Sequence, residues 1–255
     1  MKTLILLGLL LFSSSLLSSD FDHSHSLFSK VLNKVVIDKG AESKVNYTKL
    51  KTNQGDLKTY LDALSGVSKG DYKSWTQDQR LAFLINAYNA FTLKLIIDNY
   101  PVDSIKDIGG FFSSPWKKRF FKLLDEKMHL DQIEHEIIRK DFNEPRIHFA
   151  VVCASIGCPK LHSTAYTASN LDSKLELATK QFLKDSTRNR YNRSKNEFQV
   201  SKIFDWYDED FGDTLSLKRF LNKHMQLGLS TEKLKKASLS YLDYDWSLND
   251  YKGKK

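Results

Sequence analysis

The stretch LAFLINAYNAFTLKLII, residues 81–97, carries a single charge, Lys94, and otherwise presents apolar side chains almost all the way round a helical projection. A helix without a polar face is buried, so this one is expected at the centre of the fold with the remaining elements packed around it. Thr76 and Gln79 fit a capping box ahead of it, and the run over residues 80–100 stops at Pro101. Burial makes its two asparagines conspicuous. Asn86 and Asn89 lie three apart on one face, and a buried amide without partners costs about 1–3 kcal/mol. Two readings are open: the amides tie a neighbouring loop to the core, or they orient a catalytic side chain or a substrate carbonyl.

Outward from this helix, helical spacing recurs over residues 27–37, 47–64 with a break at Gly55, 130–140, 171–183 and 215–227. Apolar runs at 146–154 and 197–204 read as strands. No repeat and no Gly/Ser or Pro linker divides the chain, so a helix-rich α+β fold in one domain around a small central sheet is expected, spanning residues 20–255.

The first residues set the compartment expected. Met1 and Lys2 precede an apolar run to Phe12 and then a serine-rich stretch, the order of a secretory signal, with removal expected near Ser18 or Ser19. The run is short for a bilayer span, and no other segment reads as one, so a secreted or periplasmic protein without a stable membrane span is expected. The 255 residues carry a net charge of +8, or +7 without Lys2. The excess lies in Arg188, Arg190, Arg193 and Lys195 and in the tail lysines, with only Tyr191 interleaved, so no nucleic-acid partner is expected. The partner is an unidentified substrate or protein. No Gly-rich phosphate loop is present, and no cofactor is expected. Asn46 and Asn192 begin glycosylation acceptor triplets, which matter only in a eukaryotic host.

Chemistry concentrates in RIHFAVVCASIGCPKLH, residues 146–162. Read as a strand, it places Cys153 on an apolar face, as a small core residue of low reactivity. Cys158 follows a turn through Gly157 and precedes Pro159, a setting that suits an exposed thiol at a helix N-cap, where backbone N–H groups favour the thiolate and could hold an oxyanion. The same pair could instead form a Cys153–Cys158 disulfide, which an oxidising compartment permits. A metal site of Cys153, Cys158 and His162 fits none of the common zinc spacings, and no metal is expected.

A thiol nucleophile needs a base. His148 would lie about 20 Å from the turn along a straight strand. His162 is four residues past Cys158, a pairing that arises easily by chance. His135, in LDQIEHEIIRK, points off the stripe Leu130, Ile133 and Ile137 and on pattern alone is a solvated helix position.

LAFLINAYNAFTLKLIIDNYP, LDQIEHEIIR, EPRIHFAVVCASIGCPKL, SKIFDWYDEDF and YLDYDWSLN together resemble the domain-of-unknown-function family 547, in order from about Trp75 to Asn249. The resemblance implies a cluster of Asn86, Asn89, Glu134, His135, Arg146, His148, Cys153 and Cys158, with Asp205 and Asp210 from the acidic-aromatic segment, and it raises His135 over His162. A helix bearing amides with a thiol and an imidazole on other elements is also similar to papain-like and transglutaminase-like proteins, by analogy of fold alone. The expected function is a thiol-dependent hydrolase or acyl transferase. Cys158 is its nucleophile and His135 its base, with His148 also in the catalytic set. Glu134 or Asp205 orients the base, Asn86 binds the carbonyl with backbone N–H groups, and Asn89 and Arg146 assist binding. The alternative is a noncatalytic binding or interaction module in which both cysteines are structural.

Overall fold

The computed structural model describes residues 21–110 and 113–253. The expected signal at 1–19 lies outside them. The described chain runs α1 (Ser26–Val35), β1 (Val36–Lys39), β2 (Glu42–Val45), α2 (Tyr47–Thr52), α3 (Gly55–Gly66), α4 (Lys69–Ser74) and α5 (Gln77–Asn99). β3 (Phe121–Leu123), β4 (Glu126–Met128), a π-helix (Gln132–Ile138), α6 (Arg139–Asp141) and a 3-10 helix (Pro145–Phe149) follow. The last third holds α7 (Leu171–Lys184), β5 (Arg190–Asn192), β6 (Glu197–Ser201), α8 (Ile203–Trp206), α9 (Thr214–His224), α10 (Thr231–Lys236) and β7 (Ser238–Leu242). The fold is α+β.

α5 is the central helix. The Thr76 hydroxyl accepts from the Gln79 backbone N–H while the Gln79 side chain accepts from that of Thr76, closing both ends of the capping box. By length and composition α5 also passes for a membrane span, contrary to the expectation that no segment beyond the first does, yet 89% of its apolar window is buried against the rest of the protein. α1 and α3 pack beside it in the larger apolar cluster, where Phe28 stacks on Tyr60 at 4.8 Å between ring centres. A second cluster joins α7, β6 and α9 around Phe149, Phe182 and Phe204.

Two expectations need correction. Residues 146–154 are no strand: Pro145 opens a 3-10 helix whose N-cap, Glu144, accepts from the Arg146 N–H. Ile147, His148, Phe149 and Ala150 are all buried, so the run is apolar because it is enclosed on every side, a pattern that periodicity cannot distinguish from a buried strand. Nor is there one central sheet. Among the described residues the strands form two antiparallel pairs, β1–β2 and β3–β4, and a three-stranded sheet β5–β6–β7 in which β6 and β7 run parallel.

These departures position the site. In the 3-10 helix, Ile147 joins the larger cluster and Phe149 the smaller, leaving His148 at the seam between them. The segment expected to be an α-helix at 130–140 winds as a π-helix, whose bonds run from i to i+5. Ile133 and Ile138, five apart, therefore share the buried side, and Glu134 is buried with them at 4% exposure instead of facing solvent.

Candidate functional site

At the seam a cleft of about 260 Å³ opens between the π-helix, the 3-10 helix, the cysteine turn and the aromatic segments around Trp206 and Tyr244. Glu134, His135, His148, Cys153 and Cys158 all line it.

His148 is buried and its Nε2 lies 2.6 Å from Asp210 Oδ2. Burial opposes the charge on Asp210, but hydrogen bonds from His148 and Arg139 outweigh it and hold the carboxyl well below its usual range. An ionised carboxylate only accepts, so Nε2 carries a proton and donates, which in the neutral ring leaves the lone pair on Nδ1. That Nδ1 is buried and has no hydrogen-bond partner among the described residues. Arg139 fixes the carboxylate from the other side, with Nε at 2.6 Å and Nη2 at 2.9 Å.

His135 has a different setting. Arg139 Nη1 donates to its Nδ1 at 3.0 Å, so the lone pair there is engaged and the neutral ring carries its proton on Nε2. It can present a donor to the cleft. The Tyr207 ring stacks on His148 at 3.9 Å and faces His135 at 5.9 Å, separating the two imidazoles. Burial and then the nearby Glu134 charge push the Tyr207 hydroxyl far above its ordinary pKa, and the same causes act on Tyr88, so both phenols stay protonated as donors beside the carboxylate.

The sulfurs are bonded to each other: Cys153 and Cys158 form a disulfide, and among the described residues there is no free cysteine. An exposed Cys158 thiol is thus corrected twice over, since its sulfur is paired and the residue is only 4% exposed; Cys153 is the half-buried partner. The turn brings the Cys158 sulfur back against the chain, where it accepts from the Cys153 backbone N–H at 3.0 Å and the Tyr244 hydroxyl at 3.1 Å. The same hydroxyl lies 3.1 Å from the Cys153 sulfur. Gly157 permits this approach, because a Cβ there would meet the Tyr244 ring at 2.9 Å. Arg188 anchors the turn from below by donating to the Ile156, Cys158 and Ala41 carbonyls. Among the described residues neither sulfur is hydrogen-bonded to an imidazole.

The other expected site residues lie elsewhere. Asn86 exchanges both amide groups with the Tyr166 backbone, at 2.7 Å and 3.0 Å. Asn89 donates to the Ala150 carbonyl and accepts from the Val152 N–H, both at 2.9 Å. Both amides are buried and neither lines the cleft, so they are not placed to bind a substrate carbonyl there; they tie loops to α5. Arg146 pairs with Glu144, Asp172 and Glu176 outside the cleft. Asp205 is 41% exposed and pairs with Lys202, away from either imidazole. Sequence reasoning assigned no role to Tyr207, Tyr244, Arg139 or Arg188. The aromatic spacing in DWYDED and DYDW was the visible signal for the two tyrosines.

Comparison with curated proteins and with solved structures finds no match for the chain. A family model described as protein of unknown function, DUF547, matches residues 72–183, from the end of α4 through α5, the π-helix and the cysteine turn to α7. That span holds His135, His148 and both cysteines, and it stops short of Asp210 and Tyr244. Over residues 72–183, somewhat under half of its length, the chain is similar to the DUF547 family.

Proposed function

We propose that the protein is an exported thiol-dependent hydrolase or acyl transferase whose disulfide is the resting, oxidised form of the nucleophile. One observation carries this reading: the imidazole of His148, with Nε2 tied to an ionised carboxylate and Nδ1 unpartnered, shares a cleft with both sulfurs. That is the base and orienter of a nucleophile, base and acid arrangement. The reading moves the base from His135 to His148 and the orienter from Glu134 or Asp205 to Asp210.

An external dithiol first reduces the disulfide, giving two thiols and leaving the reductant oxidised. His148 Nδ1 then takes the proton of Cys158, whose sulfur keeps two donors, the Cys153 N–H and the Tyr244 hydroxyl. The thiolate attacks an acyl carbon, and the leaving amine or alkoxide departs with the proton held by the imidazolium. Water or a second nucleophile, deprotonated at Nδ1, cleaves the thioester and regenerates the thiol. Export is supported by the order of residues at 1–19 and agrees with a disulfide at the site.

The test is alkylation of the reduced protein by iodoacetamide across pH, with the modified cysteine mapped by mass spectrometry. Cys158 is expected to react as a thiolate at least about one unit below the ordinary thiol pKa of about 8.5, and His148→Gln to return it to that value. Identical profiles in the two proteins overturn the reading. The disulfide itself favours a second reading, a binding module with structural cysteines, and that reading gains if the reduced thiols stay inert.

A further inference from the structure

The cleft carries a chemical bias that thiol reactivity does not explain. The chain has 39 Lys and Arg against 31 Asp and Glu, yet among the described residues lining the cleft there is no Lys or Arg. Its formally charged lining is Asp131 and Glu134, both from the segment that enters the π-helix. Glu134 is 4% exposed, and the guanidinium near it is engaged elsewhere: Arg139 pairs with Asp210, and no ion pair reaches Glu134 among the described residues. The phenols of Tyr88 and Tyr207 ease its burial, and Arg139 acts on it only through space, without a direct ion pair. A buried carboxylate without a counter-charge is costly, and a cationic ligand would relieve that cost.

Around it stand six rings, Tyr88, Trp116, Trp206, Tyr207, Tyr244 and Trp246. Trp246 is the hub, with Tyr244 at 4.6 Å, Trp206 at 5.5 Å and Trp116 at 5.7 Å between ring centres. Trp206 is 42% exposed, unusual for so large an apolar side chain in a well-packed fold. The chain already places one ammonium on this cluster, since Lys106 Nζ lies 3.7 Å from the Trp246 ring centre. Indole faces combined with an unpaired carboxylate select positive charge, because the ring quadrupole and the carboxylate attract the same ligand.

We propose that the cleft binds an organic ammonium group, seated on the Trp206 and Trp246 rings with its charge toward Glu134. This deepens the proposed function by naming the substrate class of the same site, and for catalysis it rests on that reading; binding does not.

The test therefore uses the full chain with its disulfide intact, in which no thiol chemistry can occur. Choline and butylamine are titrated at neutral pH and followed by tryptophan fluorescence and calorimetry, beside 3,3-dimethylbutan-1-ol, the uncharged isostere of choline, and chitotriose. A saturable response to an ammonium probe, with the alcohol weaker by about tenfold or more, is the expected result. Glu134→Gln is expected to weaken the ammonium probe by about tenfold and leave the alcohol unchanged, and Trp206→Ala, at an exposed position, to weaken it while near-ultraviolet circular dichroism elsewhere is kept. Equal binding of the alcohol, binding of chitotriose alone, or no saturable ammonium binding overturns the proposal. Each of those outcomes leaves the alkylation result with reduced protein standing, so the two readings fail separately.

Discussion

His148 Nε2 and Asp210 Oδ2 lie 2.6 Å apart across the seam between the two apolar clusters, joining a 3-10 helix to a segment 62 residues further along the chain. The contact does two things at once. It fixes the ring tautomer that leaves Nδ1 free, and it gives Arg139 an anchor for its guanidinium, so that one carboxylate organises two side chains from two elements.

Asp210→Asn should therefore be costly beyond its size. The substitution leaves the partly buried Arg139 without its charge partner and allows the His148 ring either tautomer. Urea denaturation should show a loss of about 2–4 kcal/mol. Asp62→Asn, at the exposed pair with Lys58, should change stability by no more than about 0.5 kcal/mol.

The disulfide is chemically unsymmetrical. Cys153 is the half-buried sulfur, while Cys158 is enclosed and accepts two hydrogen bonds that would stabilise a leaving thiolate. Glutathione should attack at Cys153. With oxidised glutathione, the free thiol of Cys158→Ser should exchange to a mixed disulfide on Cys153 and release one glutathione thiol, whereas Cys153→Ser should form its adduct on Cys158 about tenfold more slowly or worse. Peptide mapping after an acid quench reads both.

The asparagines of α5 act through the backbone. Asn89→Ala strips a partner from the buried Ala150 carbonyl and the Val152 N–H together, which should cost about 2–5 kcal/mol by denaturant titration. Asn89→Asp should do no better, since a carboxylate cannot donate to the carbonyl.

What could be read in advance follows physical range. α5 and its cap were legible because burial all round and a capping box are local signals, and both are present with Thr76 and Gln79 in place. The 3-10 helix at 145–149 was read as a strand because a short enclosed run has no period of its own; only Pro145, with its missing N–H, argued otherwise. The π-helix was hidden for a related reason. One extra residue in the turn moves Glu134 to the buried side, and no composition rule announces it. Of the site, the cysteines and His148 could be named from sequence, but the choice between His148 and His135 depended on which ring nitrogen each neighbour occupies. That is set by Asp210 and Arg139 across the fold.

Gly157 is a packing requirement in a turn where Ala154, and not the glycine, takes the left-handed conformation, at φ 62°. Its Cα hydrogens allow the Tyr244 ring to lie over the turn, and Gly157→Ala would place a carbon 2.9 Å from that ring. The ring must withdraw, taking its hydroxyl from both sulfurs. A loss of about 1–3 kcal/mol is expected, together with faster reduction of the disulfide by dithiothreitol, read as thiol release over time.

Acid should destabilise the fold through two histidines that do not line the cleft. Burial pushes His25 down to about 4, with a further push from His23, and burial followed by Lys174 and Lys160 does the same to His162. A histidine whose folded pKa is depressed takes up its proton more readily unfolded, so between about pH 6.5 and pH 4 the unfolded chain binds more protons and stability falls as pH falls. The loss begins below the unfolded value of about 6.5 and levels off once the folded ring also protonates near 4. Each group can contribute up to about 3 kcal/mol over that window. Asp210 adds little above about pH 5, because its depressed carboxyl withdraws stability only as unfolded carboxylates begin to protonate, and that loss is common to the wild type and the histidine variant. Denaturant titrations at pH 7, 6, 5 and 4.5 on the wild type and His162→Gln should show the variant losing less stability across the series, by a slope of about one proton. Parallel curves for the two proteins would mean that His162 does not carry the acid sensitivity.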